Sequence, residues 1–304
     1  MSRRLVLTVG AVAVLVAVAI LGVLGPSIPV VSSLFASGRP SASAGRPVPP
    51  IDGRPDVRIA VAGDTGTGDS PERATVRRIV ADGRGNPHDA LLLLGDLVYE
   101  DGDADLVDER VTDAFAPVID AGAELLPVLG NHDYVSDEED EIFAQLGRPD
   151  PWYVEDVGSV RVVVLDSNRV DDEDQTAWLR DTLDEPEPPG TWTIVAMHHP
   201  AYSAGEHGSD LEVREAWSPL FAQYDVPLVL AGHDHDYQRS RPQDGVTYVV
   251  SGGGAKLRPT GHEEFTAVSA SVLHYLDLLF YDDRIVGRAV DQAGHLVDSF
   301  TIDR

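Results

Sequence analysis

Residues 57–64 read VRIAVAGD and residues 90–96 read ALLLLGD, and these two stretches give the clearest indication of the fold class. Each is a short apolar run that ends at a glycine followed by an aspartate. Apolar runs of this length, bounded by turn residues, are typical of strands that are buried on both faces of a sheet covered by helices. Similar runs recur at Glu124–Leu129, Val160–Leu165, Thr191–Met197, Val226–Leu230 and Thr247–Val250.

The segments between these runs have helical features. Ser70-Pro71-Glu72 is typical of a helix start, with a hydroxyl as the cap, proline at the first helical position and an acid in the first turn. Apolar residues recur at helical spacing within Val107–Val118 and Val213–Tyr224. The chain ends in strand-like segments at Ser271–Tyr281, Arg284–Val290 and His295–Ile302. We therefore predict an α/β (α+β) fold of layered β-sheets flanked by helices, with antiparallel strands at the C-terminus.

The N-terminal part of the chain has the pattern of a targeting segment. Residues 5–25 carry no charge, are long enough to cross a bilayer and follow Arg3 and Arg4. We expect residues 1–36 to hold a signal peptide or an uncleaved signal-anchor, with the anchor favoured and the rest of the chain exported. Residues 37–55 contain five prolines among Ser, Gly and Ala, and we expect them to form an extended linker.

The composition excludes several classes of function. Lys and Arg total 23 against 51 Asp and Glu, which gives a formal net charge of −28. Because this excess repels polyphosphate backbones, we expect no nucleic-acid binding. The chain has no cysteine, so disulfides, zinc-thiolate sites and thiol catalysis are excluded. Carboxylate, histidine, tyrosine and amide side chains remain for chemistry.

Polar side chains follow the apolar runs at the points where the predicted strands end. They are Asp64, Asp96, Asn131 with His132, His198, and His233 with His235. In an α/β sheet the carboxyl ends of the strands are where sites form, and glycines beside them allow close approach. A single Gly-Asp after a strand is usually a turn. The whole ordered set, each member at a strand end, indicates a functional site.

The ordered set has a family pattern: Asp64-x-Gly66, Gly95-Asp96-x-x-Tyr99, Gly130-Asn131-His132-Asp133, Val195-x-x-His198 and Gly232-His233-x-His235. It resembles the purple acid phosphatase branch of the calcineurin-like metallophosphoesterases, at the size of the small animal-type members. Gly66 stands where the wider superfamily has a histidine ligand, and Tyr99 is available to replace that histidine. The resemblance implies a four-layer α/β/β/α architecture and a metallophosphoesterase catalytic domain over residues 56–304.

Seven side chains are implied by the resemblance as ligands of two metal ions. Those of a ferric ion are Asp64, Tyr99 and His235; those of a divalent ion, zinc, manganese or iron, are Asn131, His198 and His233; Asp96 bridges the two. Hard carboxylate and phenolate oxygens suit Fe(III), whereas imidazole and amide ligands suit the divalent ions. If Tyr99 stays protonated, two divalent ions fit instead.

The resemblance further implies an exported, acid-phosphatase-like enzyme that hydrolyses phosphate monoesters by in-line attack of a metal-bound hydroxide. His132 and His207 are the expected catalytic residues, because neither is assigned to a metal and the departing alcohol needs a proton. The expected substrate-binding residues are Asn131, His132, His207 and His199, and His199 could equally support the neighbouring ligand. The loop 254–268 is expected to form the leaving-group pocket.

Two other functions stay open at this point. One is a phosphodiesterase that uses the same dinuclear site, and the other is a non-catalytic surface module that binds phosphate or a partner. Small phosphate esters are the expected substrates. The membrane is a further partner if the N-terminal segment is uncleaved, and the oligomeric state is left open.

Overall fold

The structure is a computed structural model that describes residues 45–304. The expected signal or anchor segment, residues 1–36, lies outside the described residues. Within residues 45–304, no helix combines the length and the apolar character that crossing a bilayer requires. The described residues form one compact unit, and the predicted domain boundary at residue 56 stays a prediction.

The strands and helices follow one another along the chain in a largely alternating order. The strands are β1 Val57–Ala62, β2 Ala90–Leu93, β3 Glu124–Pro127, β4 Tyr153–Val157, β5 Val160–Val164, β6 Trp192–Ala196, β7 Leu228–Ala231, β8 Tyr237–Ser240, β9 Thr247–Ser251, β10 Thr266–Ala270, β11 His274–Phe280, β12 Arg284–Asp291 and β13 Leu296–Asp303. The helices are α1 Ser70–Asp82, α2 Asp113–Ile119, α3 Glu139–Gln145, α4 Glu173–Asp184 and α5 Leu211–Gln223.

These strands form two mixed sheets. Sheet 1 has the order β13-β12-β11-β1-β2-β3, and sheet 2 has the order β10-β8-β9-β7-β6-β5-β4. Strands β1, β2 and β3 run parallel in sheet 1, while β11, β12 and β13 add to it as antiparallel neighbours. In sheet 2, β5, β6, β7 and β9 are parallel. In each sheet the neighbouring parallel strands therefore have their carboxyl ends on the same side.

The side chains of the central strands alternate between two cores. In β1, Ile59 and Val61 lie in the core between the two sheets. Ala60 and Ala62 lie in a second core that sheet 1 shares with α1, α2 and α3. A third core, with Trp217 at its centre, joins sheet 2 to α4 and α5. Because successive strand residues point to opposite faces, both faces must be apolar. The predicted α/β/β/α layers are confirmed.

Some local predictions differ from the structure. The cap of α1 is Asp69, whose carboxylate accepts from the backbone N–H of Glu72 at 3.3 Å, whereas Ser70 is the first helical residue. The stripe Val107–Val118 lies in the core between sheet 1 and the helices, as predicted, but a π turn at Asp108–Thr112 precedes α2 within it. Strands β4, β8 and β10 were not predicted, since polar residues interrupt their apolar patterns.

The described part of the predicted linker, residues 45–55, is extended and contacts the strands of sheet 1. Leu296 donates its backbone N–H to the carbonyl of Arg46 at 2.7 Å, beside an isolated bridge between Pro47 and His295. Arg288 donates to the carbonyl of Pro49 at 3.0 Å. These bonds place this stretch of the predicted linker against sheet 1.

A buried ion cluster joins three strands of sheet 1. Asp277 of β11 accepts from Arg58 of β1 at 2.8 and 3.0 Å, and from Arg288 of β12. His88 lies 3.4 Å from the same carboxylate. Burial alone raises the pKa of Asp277, but nearby His88, the hydrogen bonds from Arg58 and the charges of both arginines outweigh it and hold that pKa below its ordinary value. The ionised carboxylate of Asp277 is therefore the buried counter-charge of both Arg58 and Arg288.

Replacing this carboxylate should strongly destabilise the fold. Asp277→Asn leaves two guanidinium groups without their buried counter-charge, and we expect a loss of about 3–5 kcal/mol in the free energy of unfolding, measured by urea denaturation. Asp283→Asn is the matched control, because Asp283 pairs with Arg284 while its side chain is 74% exposed. The control should change stability by less than about 0.5 kcal/mol. Equal effects in the two variants would contradict this account.

Candidate metal centre

The predicted site residues converge at the shared edge where the parallel strands of both sheets end. Asp64 follows β1 and Asp96 follows β2, both from sheet 1. From sheet 2, His198 follows β6, and His233 and His235 follow β7. Since parallel strands present their carboxyl ends at one edge, the packing of the two sheets brings these loops together.

One group of donors surrounds the hydroxyl of Tyr99. This hydroxyl lies 2.7 Å from Asp96 Oδ2, 3.1 Å from Asp64 Oδ1 and 3.2 Å from His235 Nε2. His235 Nε2 is also 3.4 Å from Asp64 Oδ1. We call these four side chains the phenol cluster. Its members are buried, and their ligand atoms point at one another.

A second group surrounds the side-chain oxygen of Asn131. Asn131 Oδ1 lies 3.1 Å from His198 Nε2 and 3.0 Å from His233 Nδ1, and these two nitrogens are 3.3 Å apart. Asp96 Oδ1 lies 3.5 Å from His198 Nε2. We call Asn131, His198, His233 and Asp96 the amide cluster. One carboxylate, that of Asp96, therefore belongs to both clusters, with one oxygen directed to each.

The pKa values of several buried donors are shifted from their ordinary values, and a bound cation would favour the form of each donor that binds metal. Burial raises the pKa of Asp64 well above its ordinary value. Burial also raises the pKa of Asp96, but the charge of His198 and the hydrogen bond from Tyr99 bring it below its ordinary value. Burial and nearby histidine charges lower the pKa of His233, and burial and the two aspartates raise that of Tyr99. A bound cation favours carboxylate, phenolate and neutral imidazole together, so the donor set fits two metal ions.

Backbone conformation at the strand ends supports a functional site. Asp64, Asp96 and His233 have φ values of 58°, 53° and 69°, in the left-handed region that residues other than glycine rarely adopt. Such conformations concentrate at functional sites, where the surroundings hold them. Two backbone bonds help to do so, because His233 N–H donates to Asp64 and His132 N–H donates to Asp96, each at 3.0 Å.

The other predicted histidines lie at the open side of the clusters. His132 is half-buried, its ring centroid is 4.6 Å from that of Tyr99, and its Nδ1 lies 2.5 Å from the carbonyl oxygen of Glu100. Since a carbonyl can only accept, Nδ1 carries a hydrogen. His207 is exposed, and its ring is stacked 4.3 Å from that of His233. Burial among its neighbours lowers the pKa of His207.

Buried Asp234 holds the loop that carries His207. Its carboxylate accepts from the backbone N–H of His207 at 2.8 Å and from the hydroxyl of Ser203. The side chain of Gln238 donates to the same hydroxyl at 2.8 Å and accepts from the N–H of Ala204 at 2.7 Å. The sequence motif treats Asp234 as a spacer between two ligands, whereas the structure makes it the anchor of the His207 loop.

Two cationic residues beside the site were missed by the sequence reasoning. Lys256 Nζ lies 3.6 Å above the ring of Tyr99 and pairs with Glu100 at 2.8 Å. Arg258 Nε lies 3.3 Å from His235 Nδ1 and its other end pairs with Glu206 at 2.8 Å. The available signal was the position of Lys256, the only lysine in the chain, directly after the glycine-rich run that follows β9.

Comparison with known proteins identifies the family. A family model described as calcineurin-like phosphoesterase matches residues 57–237, which is more than half of the chain. The chain therefore belongs to the calcineurin-like phosphoesterases. A purple acid phosphatase from yellow lupin seeds shares the fold, with a TM-score of 0.72 and 21% sequence identity over 82% of this chain and 54% of that chain.

Two further proteins are similar to parts of the chain. An uncharacterized protein of Mycobacterium tuberculosis is 31% identical in an alignment 150 positions long, which covers 36% of this chain and 28% of the relative. Human tartrate-resistant acid phosphatase type 5 is 29% identical in an alignment 206 positions long, which covers 57% of this chain and 63% of the human protein. The chain thus spans less than two thirds of each of these relatives. The roles of the seven ligand candidates in this chain stay predictions.

The close packing around Asp96 gives a test of the site. A Cβ at Gly95 would lie 2.8 Å from Cγ of His198, and the φ of Gly95 is +90°. Gly190 has nearly the same φ, +93°, with open space around it. We expect both variants to lose about 1 kcal/mol of stability from backbone strain, and Gly95→Ala to lose about 1–3 kcal/mol more because its Cβ overlaps His198 and Gly130.

Only Gly95→Ala should also lose bound metal, because it displaces a predicted ligand. The measurement is metal content per chain by elemental analysis after dialysis, alongside urea denaturation of both variants. Full metal content in Gly95→Ala, or an equal loss in Gly190→Ala, would be incompatible with the placement of His198 in the centre.

Proposed function

We propose that this chain is a metal-dependent phosphoric ester hydrolase that acts on phosphate monoesters, like the acid phosphatases among its relatives. The observation that carries the proposal is the carboxylate of Asp96, whose two oxygens face two separate donor clusters. A shared carboxylate between two such clusters suits a pair of metal ions held close together. The histidines at the open side of the clusters supply the proton-transfer groups that hydrolysis of an ester requires.

The proposed metal pair is Fe(III) with a divalent ion, zinc, manganese or iron. When bound, the pair lowers the pKa of a coordinated water and neutralises charge on the phosphate. Tyr99 supports the ferric assignment, because a phenolate oxygen is a hard donor and here lies among two carboxylates. Two divalent ions are the alternative if Tyr99 keeps its proton.

The protein side chains have separate tasks in this proposal. Asn131 would offer its side-chain oxygen to the divalent ion beside the ring nitrogens of His198 and His233, which lie 3.1 and 3.0 Å from that oxygen. His132 Nδ1–H donates a hydrogen bond to the backbone carbonyl of Glu100. Nε2 is therefore the ring nitrogen through which His132 exchanges a proton with the departing alcohol. His207 is the second proton donor, and Asp234 keeps its backbone in place beside the centre.

The setting of the reaction follows from charge and from the N-terminus. A formal charge of −28 favours small phosphate esters over nucleic acids as ligands, because only small esters can reach a cation centre without burying a polyanion against acidic surface. We propose an exported protein, on the basis of the uncharged residues 5–25. If that segment is not cleaved, it anchors the protein to the membrane.

A rate comparison tests the reaction class. The metal-loaded protein should hydrolyse p-nitrophenyl phosphate faster than bis-p-nitrophenyl phosphate, because the centre accommodates the dianionic phosphate of a monoester. Chelation should abolish both activities, and added metal should restore them. A faster diester rate would favour the phosphodiesterase. Absence of both activities in fully loaded protein would leave the non-catalytic phosphate-binding module.

The iron assignment has an optical test. Oxidised protein loaded with iron should absorb visible light through charge transfer from the phenolate of Tyr99 to Fe(III). Tyr99→Phe should lose this band, whereas Tyr134→Phe, which removes a phenol bonded to Asp166 outside the centre, should keep it. A colourless, fully active wild-type enzyme with two zinc ions would refute the ferric assignment and leave the hydrolase assignment intact.

A further inference from the structure

His199 stands next to a predicted ligand, and its place in the centre permits two roles. Its ring centroid is 5.0 Å from that of His198 and 4.6 Å from that of His233. One ring nitrogen of each of the three histidines lies within 4.8 Å of the others. By distance alone, His199 is either a further metal ligand or a group that contacts the substrate.

Ser167 holds His199 from the other side. Ser167 is buried and begins the 3₁₀ turn Ser167–Arg169, which Asp166 caps after β5. Its Oγ accepts the backbone N–H of His199 at 2.9 Å, and the same Oγ lies 2.9 Å from Nδ1 of the His199 ring. Backbone and ring of His199 are thus both fixed to one hydroxyl.

The hydroxyl hydrogen decides where the ring hydrogen lies. Among residues 45–304, the acceptor within hydrogen-bond distance of Ser167 Oγ is His199 Nδ1. If a neutral His199 carried its hydrogen on Nδ1, the buried hydroxyl hydrogen would have no acceptor, and an unpaired buried donor is unfavourable. The hydroxyl therefore donates to Nδ1, and the ring hydrogen is on Nε2. A charged imidazolium also has a hydrogen on Nε2, so this conclusion does not depend on the charge of the ring.

We propose that His199 binds the phosphate of the substrate through Nε2–H, and that Ser167 is the positioning residue that fixes this tautomer. A nitrogen that carries a hydrogen cannot coordinate a metal, and Nδ1 is engaged by Ser167. The amide cluster already offers four donors without His199. A hydrogen bond from N–H to a phosphate oxygen is charge-assisted and is among the stronger kinds. The proposal rests on the proposed phosphate-ester function.

The tautomer can be observed without any turnover. Full-length protein labelled with ¹⁵N-histidine and loaded with zinc should give a His199 signal with the hydrogen on Nε2 in a nitrogen–proton correlation spectrum. The signal is assigned by its loss in His199→Gln. In Ser167→Ala the preference for Nε2–H should weaken or disappear. A His199 ring with its hydrogen on Nδ1, or with Nε2 bound to metal, overturns the proposal.

Inorganic phosphate is the probe for the second test, measured by calorimetric titration of metal-loaded full-length protein. His199→Leu should weaken phosphate binding about tenfold, the scale of one hydrogen bond to a charged group, with two metal ions retained. His199→Gln should stay within about threefold of wild type, because its amide nitrogen can donate from nearly the position of Nε2. Loss of metal in His199→Leu makes His199 a ligand, and unchanged phosphate affinity removes it from substrate binding.

These readouts separate the inference from the function on which it rests. If wild type binds phosphate and has the expected tautomer but hydrolyses no ester, the proposed function fails and the role of His199 stands. If wild type hydrolyses monoesters while His199→Leu binds phosphate normally, the inference alone fails. The two His199 variants test phosphate binding with Ser167 in place, so they remain informative if Ser167→Ala does not fold.

Discussion

The centre depends on one carboxylate that must serve two groups of ligands. Asp96 Oδ2 accepts from Tyr99, while Asp96 Oδ1 lies beside His198. The backbone of Asp96 has a positive φ, Gly130 leaves room for its carboxylate, and Gly95 leaves room for His198. The neighbouring loops are built to keep this arrangement. Asp133, for example, accepts hydrogen bonds from the backbone N–H groups of Leu97 and Val98, which follow Asp96, and of Gly130 in its own loop, at 2.8–3.1 Å.

The two sheets contribute different chemistry to the centre. The loops of sheet 1 carry the oxygen donors Asp64, Asp96, Tyr99 and Asn131, and the loops of sheet 2 carry the imidazoles of His198, His233 and His235. Neither sheet alone has a complete set for either cluster. The donors therefore meet only where the two sheets pack together through the apolar core between them. Because a site that exists only in the folded state stabilises that state when it is filled, bound metal should strengthen the association of the two sheets.

The central strands and the ligand candidates could be predicted from the sequence because their signals are local. In β1 and β2, an apolar run, a glycine and an aspartate lie within eight residues, so strand, turn and donor are read together. The residues that the sequence did not reveal depend on contacts across the fold. Ser167 meets His199 across 32 positions, and Lys256 covers Tyr99 from a distant loop. Similarly, the sequence around Asp277 does not indicate that Arg58, 219 positions away, is its buried partner.

The acidity of the chain leaves the centre with little positive charge of its own for binding phosphate. Lys256 and Arg258 are the cations beside the phenol cluster, but each is paired with a glutamate, Glu100 or Glu206, and so adds little net positive charge. The cluster itself holds two carboxyl groups, within a chain of formal charge −28. Without metal, a phosphate dianion would therefore approach groups of its own sign. In the proposed function we therefore expect metal to bind before phosphate, because it would supply the positive charge that the acidic protein lacks there.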